Sequence, residues 1–392
     1  MKTLKIKPAL RIILTCVFFL LITALPGSAT EIDDSLAKCA QLKNDTGRLK
    51  CFDELARRQI PLKESVILKS PEEETQGSAT TADKAAPPIT KDEEKYFSVM
   101  EKQWDLRSDK PKERNIFVLW PYRPCFILPL AYNSSPNDNN QLDVDPKAKA
   151  QYNEVKFQLS FKFKIWRDIV RSEAIKEFIE KNTGIRGIDA WVAYTQQSFW
   201  QLYNSAFSAP FRDTNYEPEL LLNFDMQREI PYLMGTKLQF INVGFNHQSN
   251  GRAEPLSRSW NRIVANVGFE KNFGMEKNDN FSLLLKTWYR LPENDEDDDN
   301  PDLTDYTGYG ELWGTLYWKN QRFAVMLRNN LRSENKGAVQ LDWSIPLSSI
   351  NESLAKKVSL YVQYFNGYGE SLLDYNTSIN RISAGLMLVD WR

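Results

Sequence analysis

Residues 153–166 read NEVKFQLSFKFKIW. In an extended chain Val155, Phe157, Leu159, Phe161, Phe163 and Ile165 share one face, and Glu154, Lys156, Gln158, Ser160, Lys162 and Lys164 share the other, because successive strand side chains point to opposite sides. Such a strand is wholly apolar on one side and wholly polar on the other. Strands of soluble sandwiches typically run to about five or six residues, whereas crossing a bilayer takes about nine to eleven, with lipid outside and polar groups inside. Comparable segments recur around 116–131, 187–203, 214–226, 237–249, 257–271, 280–290, 305–318, 321–331, 337–346, 357–367 and 376–390, making twelve in all. Aromatic residues crowd their ends, as in FWQLYN (199–204), LYWKN (316–320) and YFNGYGE (364–370), where an interfacial girdle belongs. The pattern predicts an all-β chain, a twelve-stranded antiparallel transmembrane β-barrel in an outer membrane, with ten and fourteen as the neighbouring even counts. An even count keeps both termini periplasmic.

Composition removes other classes. The 392 residues carry a formal net charge of −1 and a pI of about 6.1, so bulk electrostatics point to no nucleic-acid partner. The mean hydropathy is −0.49 and no long apolar run follows the N-terminus, which excludes a helical membrane protein. At the N-terminus Lys2, Lys5, Lys7 and Arg11 precede IILTCVFFLLITAL (12–25), and small residues follow at 27–29; this reads as an export signal over 1–29. Cys39 and Cys51 then flank a polar KNDTG turn between helically spaced apolar residues. The expectation is a small helical hairpin over 30–66, periplasmic and closed by one disulfide, with zinc as the alternative. Residues 67–95, rich in Pro, Ser, Thr and charge, read as a flexible linker ahead of a barrel domain over 96–392.

The only histidine lies in FNHQSNGR (245–252). Ile241, Val243 and Phe245 set the lipid-facing parity of that strand, so His247 and Ser249 end its outward stripe. In the next strand Ile263, Ala265, Val267 and Phe269 put Asn261 on the outward side as well. Pairing His247 with Asn261 sets Ser249 opposite Ser259 and leaves 250–258 as the connection, extracellular by strand count and so beside the outer leaflet. A serine is a poor nucleophile until a neutral imidazole takes its proton, and an asparagine can hold that imidazole through its carbonyl oxygen. The constellation points to acyl transfer on a membrane lipid. A passive channel, or an inert anchor for the N-terminal hairpin, stays open on pattern alone.

Several separated blocks then match one family in order: GFNHQSNGRAEPLSRSWNR (244–262), NEVKFQLSFKF (153–163), YTQQSFWQL (194–202), PFRDTNYEPEL (210–220) and YGESLLDYN (368–376). Over roughly 115–390 the chain resembles the outer-membrane phospholipase A family, calcium-dependent serine hydrolases on a twelve-stranded barrel. The resemblance implies hydrolysis of sn-1 and/or sn-2 esters of glycerophospholipids and lysophospholipids, with Ser249 as nucleophile, His247 as base and Asn261 as orienting residue. It further implies an oxyanion donor at Gly251, activity as a homodimer, and Ca²⁺ held by Ser257, the Arg252 carbonyl and Ser208 of the partner subunit. Glu254 and Asp299 match a second calcium site, Glu254 standing where the family has Asp. Gln196 falls in the outward stripe from Ile188 to Ser198. An amide without a partner in hydrocarbon is costly, and a twofold interface relieves it. The insertion 167–186 has helical periodicity, and the N-terminal hairpin is a candidate for binding a periplasmic partner.

Overall fold

The computed structural model describes residues 44, 51, 98–106, 117–137, 149–205, 208–230, 235–273, 279–294, 296, 298–355 and 357–388. The export segment, the expected hairpin and the linker lie outside the described residues apart from Asn44 and Cys51, and Cys51 is disulfide-bonded.

The strands are β1 (Leu119–Pro121), β2 (Cys125–Asn133), β3 (Asn153–Trp166), β4 (Gly187–Trp200), β5 (Phe211–Ile230), β6 (Thr236–Ser249), β7 (Ser259–Asn272), β8 (Asn280–Arg290), β9 (Gly310–Trp318), β10 (Gln321–Asn329), β11 (Gly337–Pro346), β12 (Val358–Gly367) and β13 (Ile379–Leu388). From β2 onward each pairs antiparallel with its sequence neighbour, and β13 returns to β2. β1 and β2 occupy successive stretches of the same edge of β3. They form one interrupted stave, so the closed ring has twelve. Closure removes the unpaired edges that hydrocarbon would not tolerate.

Parity in β3 runs as its sequence demands. Leu159 is 52 % exposed, while Lys156, Lys162 and Lys164 are at most 1 % exposed. Buried charges need partners, and the lumen supplies them. Lys164 reaches Asp189 at 2.6 Å and Asp105 at 3.0 Å, and Lys156 reaches Glu370 at 2.9 Å. Lys162 lies 3.2 Å above the Trp104 ring.

Among the described residues, helices run over α1 (Val99–Gln103), ahead of the first strand, and over α2 (Glu173–Thr183), α3 (Leu303–Thr307) and α4 (Leu347–Ile350), between strands. α1 enters the lumen at the end of the barrel that carries the short turns. Its first N–H groups have no partner within the helix, and the Glu270 carboxylate accepts from Val99 N at 2.8 Å and Met100 N at 3.4 Å. Trp104, just past α1, packs on Phe240, Tyr122 and Trp191. At the opposite end α3 and residues 368–376 fold inward. Leu372 N donates to Asn215 Oδ1 at 3.0 Å, and Leu303, Leu372 and Tyr375 join the apolar cluster that contains Trp104. This internal bracing leaves a cavity of about 320 Å³.

The insertion 167–186 is helical, as its periodicity predicts, ending at Gly184 with φ 76°. Two expected strand limits are corrected. The strand expected over 305–318 begins only at Gly310, because 303–307 form α3, which Gly308 ends at φ 63°. A Cβ there would meet the Asn329 carbonyl oxygen at 2.5 Å. The strand expected over 187–203 stops at Trp200, where Gln201 N donates to Pro210 O and begins the turn.

Candidate active site

The register of β6 and β7 pairs His247 with Asn261 and Ser249 with Ser259, which is what the parity argument requires. Alternate residues on the lumen side lock that parity. Arg262 is 7 % exposed and Asn246 1 % exposed; Arg262 Nε donates to Asn246 Oδ1 at 3.0 Å, and both residues donate to Glu217 Oε1, at 2.9 and 2.8 Å. Trp260 Nε1 donates to Gln248 Oε1 at 2.8 Å. With Asn246, Gln248, Trp260 and Arg262 tied inside, His247, Ser249 and Asn261 are held on the outer face.

There His247 Nδ1 lies 2.9 Å from Asn261 Oδ1. An amide oxygen only accepts, so Nδ1 carries the hydrogen and Nε2 is left with its lone pair. Asn261 Nδ2 donates in turn to Glu293 Oε1 at 3.0 Å. Ser249 ends β6 on the same face, two residues from His247, a rise of about 6.6 Å along a strand. Among the described residues the Ser249 hydroxyl has no hydrogen bond to the imidazole.

The 250–258 connection is folded around one side chain. Asn250 Oδ1 accepts from Arg258 N at 3.0 Å and from Arg252 N at 3.3 Å, and its Nδ2 donates to Leu256 O at 2.8 Å. The Arg252 guanidinium donates to the carbonyls of Phe211 and Arg212 at 2.7 and 2.8 Å, which ties the connection to the start of β5. Gly251 has φ 63°, a left-handed conformation that favours glycine, and a Cβ there would come 3.2 Å from the Tyr216 ring. Tyr216 is paired with Ser249 across β5 and β6. From the connection after β8, Asn300 Oδ1 accepts from Ser259 N at 2.9 Å.

The remaining expected residues are placed less closely. Ser257 and Glu254 sit on the 250–258 connection, Glu254 exposed and followed by a cis bond to Pro255. Ser208 lies on the 201–210 connection, exposed and with φ 55°. Within the acidic run it is Asp298, not Asp299, that pairs internally, accepting from Arg290 at 2.5 Å. Among the described residues no group of three His, Cys, Asp or Glu side chains converges on one point. Gln196 lies on the outer face of β4, but its amide has partners within the protomer. Tyr194 OH donates to its Oε1 at 3.1 Å and its Nε2 donates to Ser198 Oγ at 3.3 Å. The premise of an unpartnered amide is therefore corrected: residues two apart on one face of a strand can satisfy each other. Asn250, Asn300 and Glu293 were not foreseen; the Asn-Gly pair at 250–251 was a turn signal for the first, and strand parity could have found Glu293.

A model of the phospholipase A1 family matches residues 100–388. A relative from Neisseria meningitidis serogroup B is 32 % identical over 95 % of this chain and 95 % of its own length. Phospholipase A1 of Escherichia coli K12 is 36 % identical over 70 % of this chain and 83 % of its own. The crystal structure of the Salmonella typhi outer membrane phospholipase dimer with bound calcium superposes with a TM-score of 0.59 at 33 % identity, covering 72 % of this chain and 96 % of that one. With a family match over most of its length and relatives above 30 % identity across more than two thirds of it, the chain belongs to the phospholipase A1 family of outer-membrane β-barrel enzymes.

Proposed function

We propose that the chain hydrolyses acyl esters of glycerophospholipids and lysophospholipids, at sn-1, sn-2 or both, on its lipid-facing surface beside the outer leaflet. Ser249 is the nucleophile, His247 the general base and Asn261 the residue that orients the imidazole. The observation that carries this reading is the 2.9 Å contact of His247 Nδ1 with Asn261 Oδ1, on the outward face of two strands and one residue pair from Ser249. The Ser249 hydroxyl gives its proton to His247 Nε2 as Oγ bonds to the ester carbonyl carbon, and the imidazolium returns that proton to the departing alcohol. A water, deprotonated by the same Nε2, then releases the acid. The group that touches the imidazole is a neutral amide, which accepts its N–H without itself carrying a charge. The Gly251 N–H, presented from a left-handed turn, is our candidate donor to the oxyanion.

Calcium suits the donor set: the Ser257 hydroxyl, the Arg252 carbonyl on the connection tied to β5, and the carbonyl of Ser208 of the partner subunit are all hard oxygen ligands that leave room for water. When bound, the ion supplies positive charge to a developing oxyanion. Glu254 and Asp299 are the carboxylates we assign to a second site in the protomer. Homodimerisation is supported by the calcium-bound dimer of the Salmonella typhi relative; we place the interface on the face bearing Gln196, whose amide keeps a second N–H and a second lone pair for a symmetry mate. Phospholipid hydrolysis in mixed micelles, with and without Ca²⁺, tests the reading. Ser249→Ala and His247→Ala are expected to abolish turnover and chelation to suppress it; calcium-independent rates equal to wild type in both variants would overturn it.

A further inference from the structure

Beyond the three residues of the proposed triad, we infer that Glu293 is a positioning residue for the ester hydrolysis, holding the Asn261 amide in the one orientation that presents its oxygen to His247. This rests on the reading of Ser249, His247 and Asn261 given above.

The geometry begins with the backbone. The β7–β8 ladder pairs Arg262 with Arg290, and one step further Leu291 N donates to the Asn261 carbonyl oxygen at 2.8 Å. The ladder therefore reaches Asn261 itself, although β8 ends at Arg290. Tyr289, 57 % exposed, lies on the lipid side. The same alternation carries Leu291 and then Glu293 onto the outward face that holds Asn261. Pro292 between them has a fixed φ, which limits the freedom of the step. The Glu293 carboxylate ends 3.0 Å from Asn261 Nδ2.

The chemistry follows from the two ends of an amide. An asparagine side chain flipped by half a turn exchanges an acceptor for a donor. Flipped, Asn261 would point N–H at His247 Nδ1, the imidazole would have to carry its hydrogen on Nε2, and the nitrogen that must receive the Ser249 proton would have no lone pair. A carboxylate only accepts, so Glu293 binds the Nδ2 end alone and excludes the flipped state. Two hydrogen bonds in series, from Asn261 Nδ2 to Glu293 Oε1 and between Asn261 Oδ1 and His247 Nδ1, fix the tautomer from outside the triad. An aspartate in the place of Asn261 would need no such device, because its two oxygens are alike; an asparagine does.

Three variants in the full-length protein with calcium test this, read as kcat and KM in the micelle assay, with heat-modified gel mobility as the check on folding. Glu293→Ala is expected to lower kcat by roughly tenfold to a hundredfold, the range for partners one shell out from a reacting group, with KM changed less than about twofold. Glu293→Gln, which keeps an acceptor oxygen at the same reach but can also donate to a flipped Asn261, is expected to recover only part of that loss. The third variant reverses the sign. In Asn261→Asp the carboxylate faces Glu293 across a like charge, so adding Glu293→Gln, whose amide can donate, is expected to raise kcat several-fold. A merely structural loop residue has no reason to give opposite responses in the two backgrounds. If Ser249→Ala is inactive while Glu293→Ala keeps wild-type kcat, or if Glu293→Gln acts alike in both backgrounds, the role assigned to Glu293 is wrong and the triad stands. If Ser249→Ala retains turnover, the underlying reading fails first.

Discussion

Replacing Glu217 by alanine strikes the lumen directly behind the candidate site. Arg123 meets that carboxylate through both guanidinium nitrogens, at 2.6 and 2.9 Å, and Arg262 NH2 and Asn246 Nδ2 share its Oε1 at 2.9 and 2.8 Å. In Glu217→Ala, Arg123 keeps the Glu219 carboxylate at 2.7 Å. Arg262, 7 % exposed, is left with the neutral oxygens of Asn246 and Gln248 and with the Trp260 ring 3.9 Å away. Removing one partner of a buried pair costs about 3–5 kcal/mol. One of the two arginines stays paired and the other stays stacked, which places this variant near 3 kcal/mol. Glu217→Gln, which retains an acceptor, should cost about 1.5–3 kcal/mol, the worth of hydrogen bonds to charged groups. Reversible urea unfolding in lipid vesicles, followed by tryptophan fluorescence, measures both. A Glu217→Ala loss below about 1 kcal/mol would mean that water reaches Arg262 freely, and the claim that a paired lumen holds His247 and Asn261 outward would be abandoned.

Gly251→Ala forces a Cβ into a left-handed residue 3.2 Å from the Tyr216 ring; micelle assays should show kcat down by about tenfold or more, as strain of about 1–3 kcal/mol at a functional turn predicts, and Tyr216→Ala should recover the steric share only. Trp104→Ala empties a site 4 % exposed beneath Lys162 and should destabilise the barrel by about 3–5 kcal/mol in the same urea experiment. Glu370 lies in the 368–376 connection; burial pushes its carboxyl up, but Arg381 and Lys156 more than offset that, and its pKa falls below the ordinary 4.5. A carboxyl with a lowered folded-state pKa contributes stability that is complete above its unfolded pKa and is lost as pH falls through the folded one. Stability should therefore decline below pH 4.5, and Glu370→Gln, weaker at neutral pH, should show a shallower decline.

Amphipathic alternation made most of the wall legible. One face of residues 153–166 could only meet lipid, and a shift by one residue would have turned Lys156, Lys162 and Lys164 into hydrocarbon, so parity, register and the outward position of His247 followed together. What escaped the sequence depends on contacts between segments far apart. The α1 plug is five residues long, too short for a periodic signal, and exists because Glu270 and the Trp104 pocket await it. The first turn of the expected eighth strand became α3 because Gly308 must pass close to Asn329. Within its acidic run composition does not single out Glu293; only continuing the parity of β8 past Arg290 would have placed it beside Asn261. Gln196 was placed in one stripe with Tyr194 and Ser198, but periodicity does not show that the two neighbours hydrogen-bond its amide.

The outward-facing pair of His247 and Asn261 changes what concentration means for this enzyme. On the proposed reading the reacting groups stand outside the wall, so a lipid arrives sideways, by diffusion in two dimensions, and not through the centre of the cylinder. Turnover is then governed by the mole fraction of susceptible lipid in the surrounding monolayer and not by its molarity in the medium. An inhibitor of this surface has to dissolve in the membrane before it can compete.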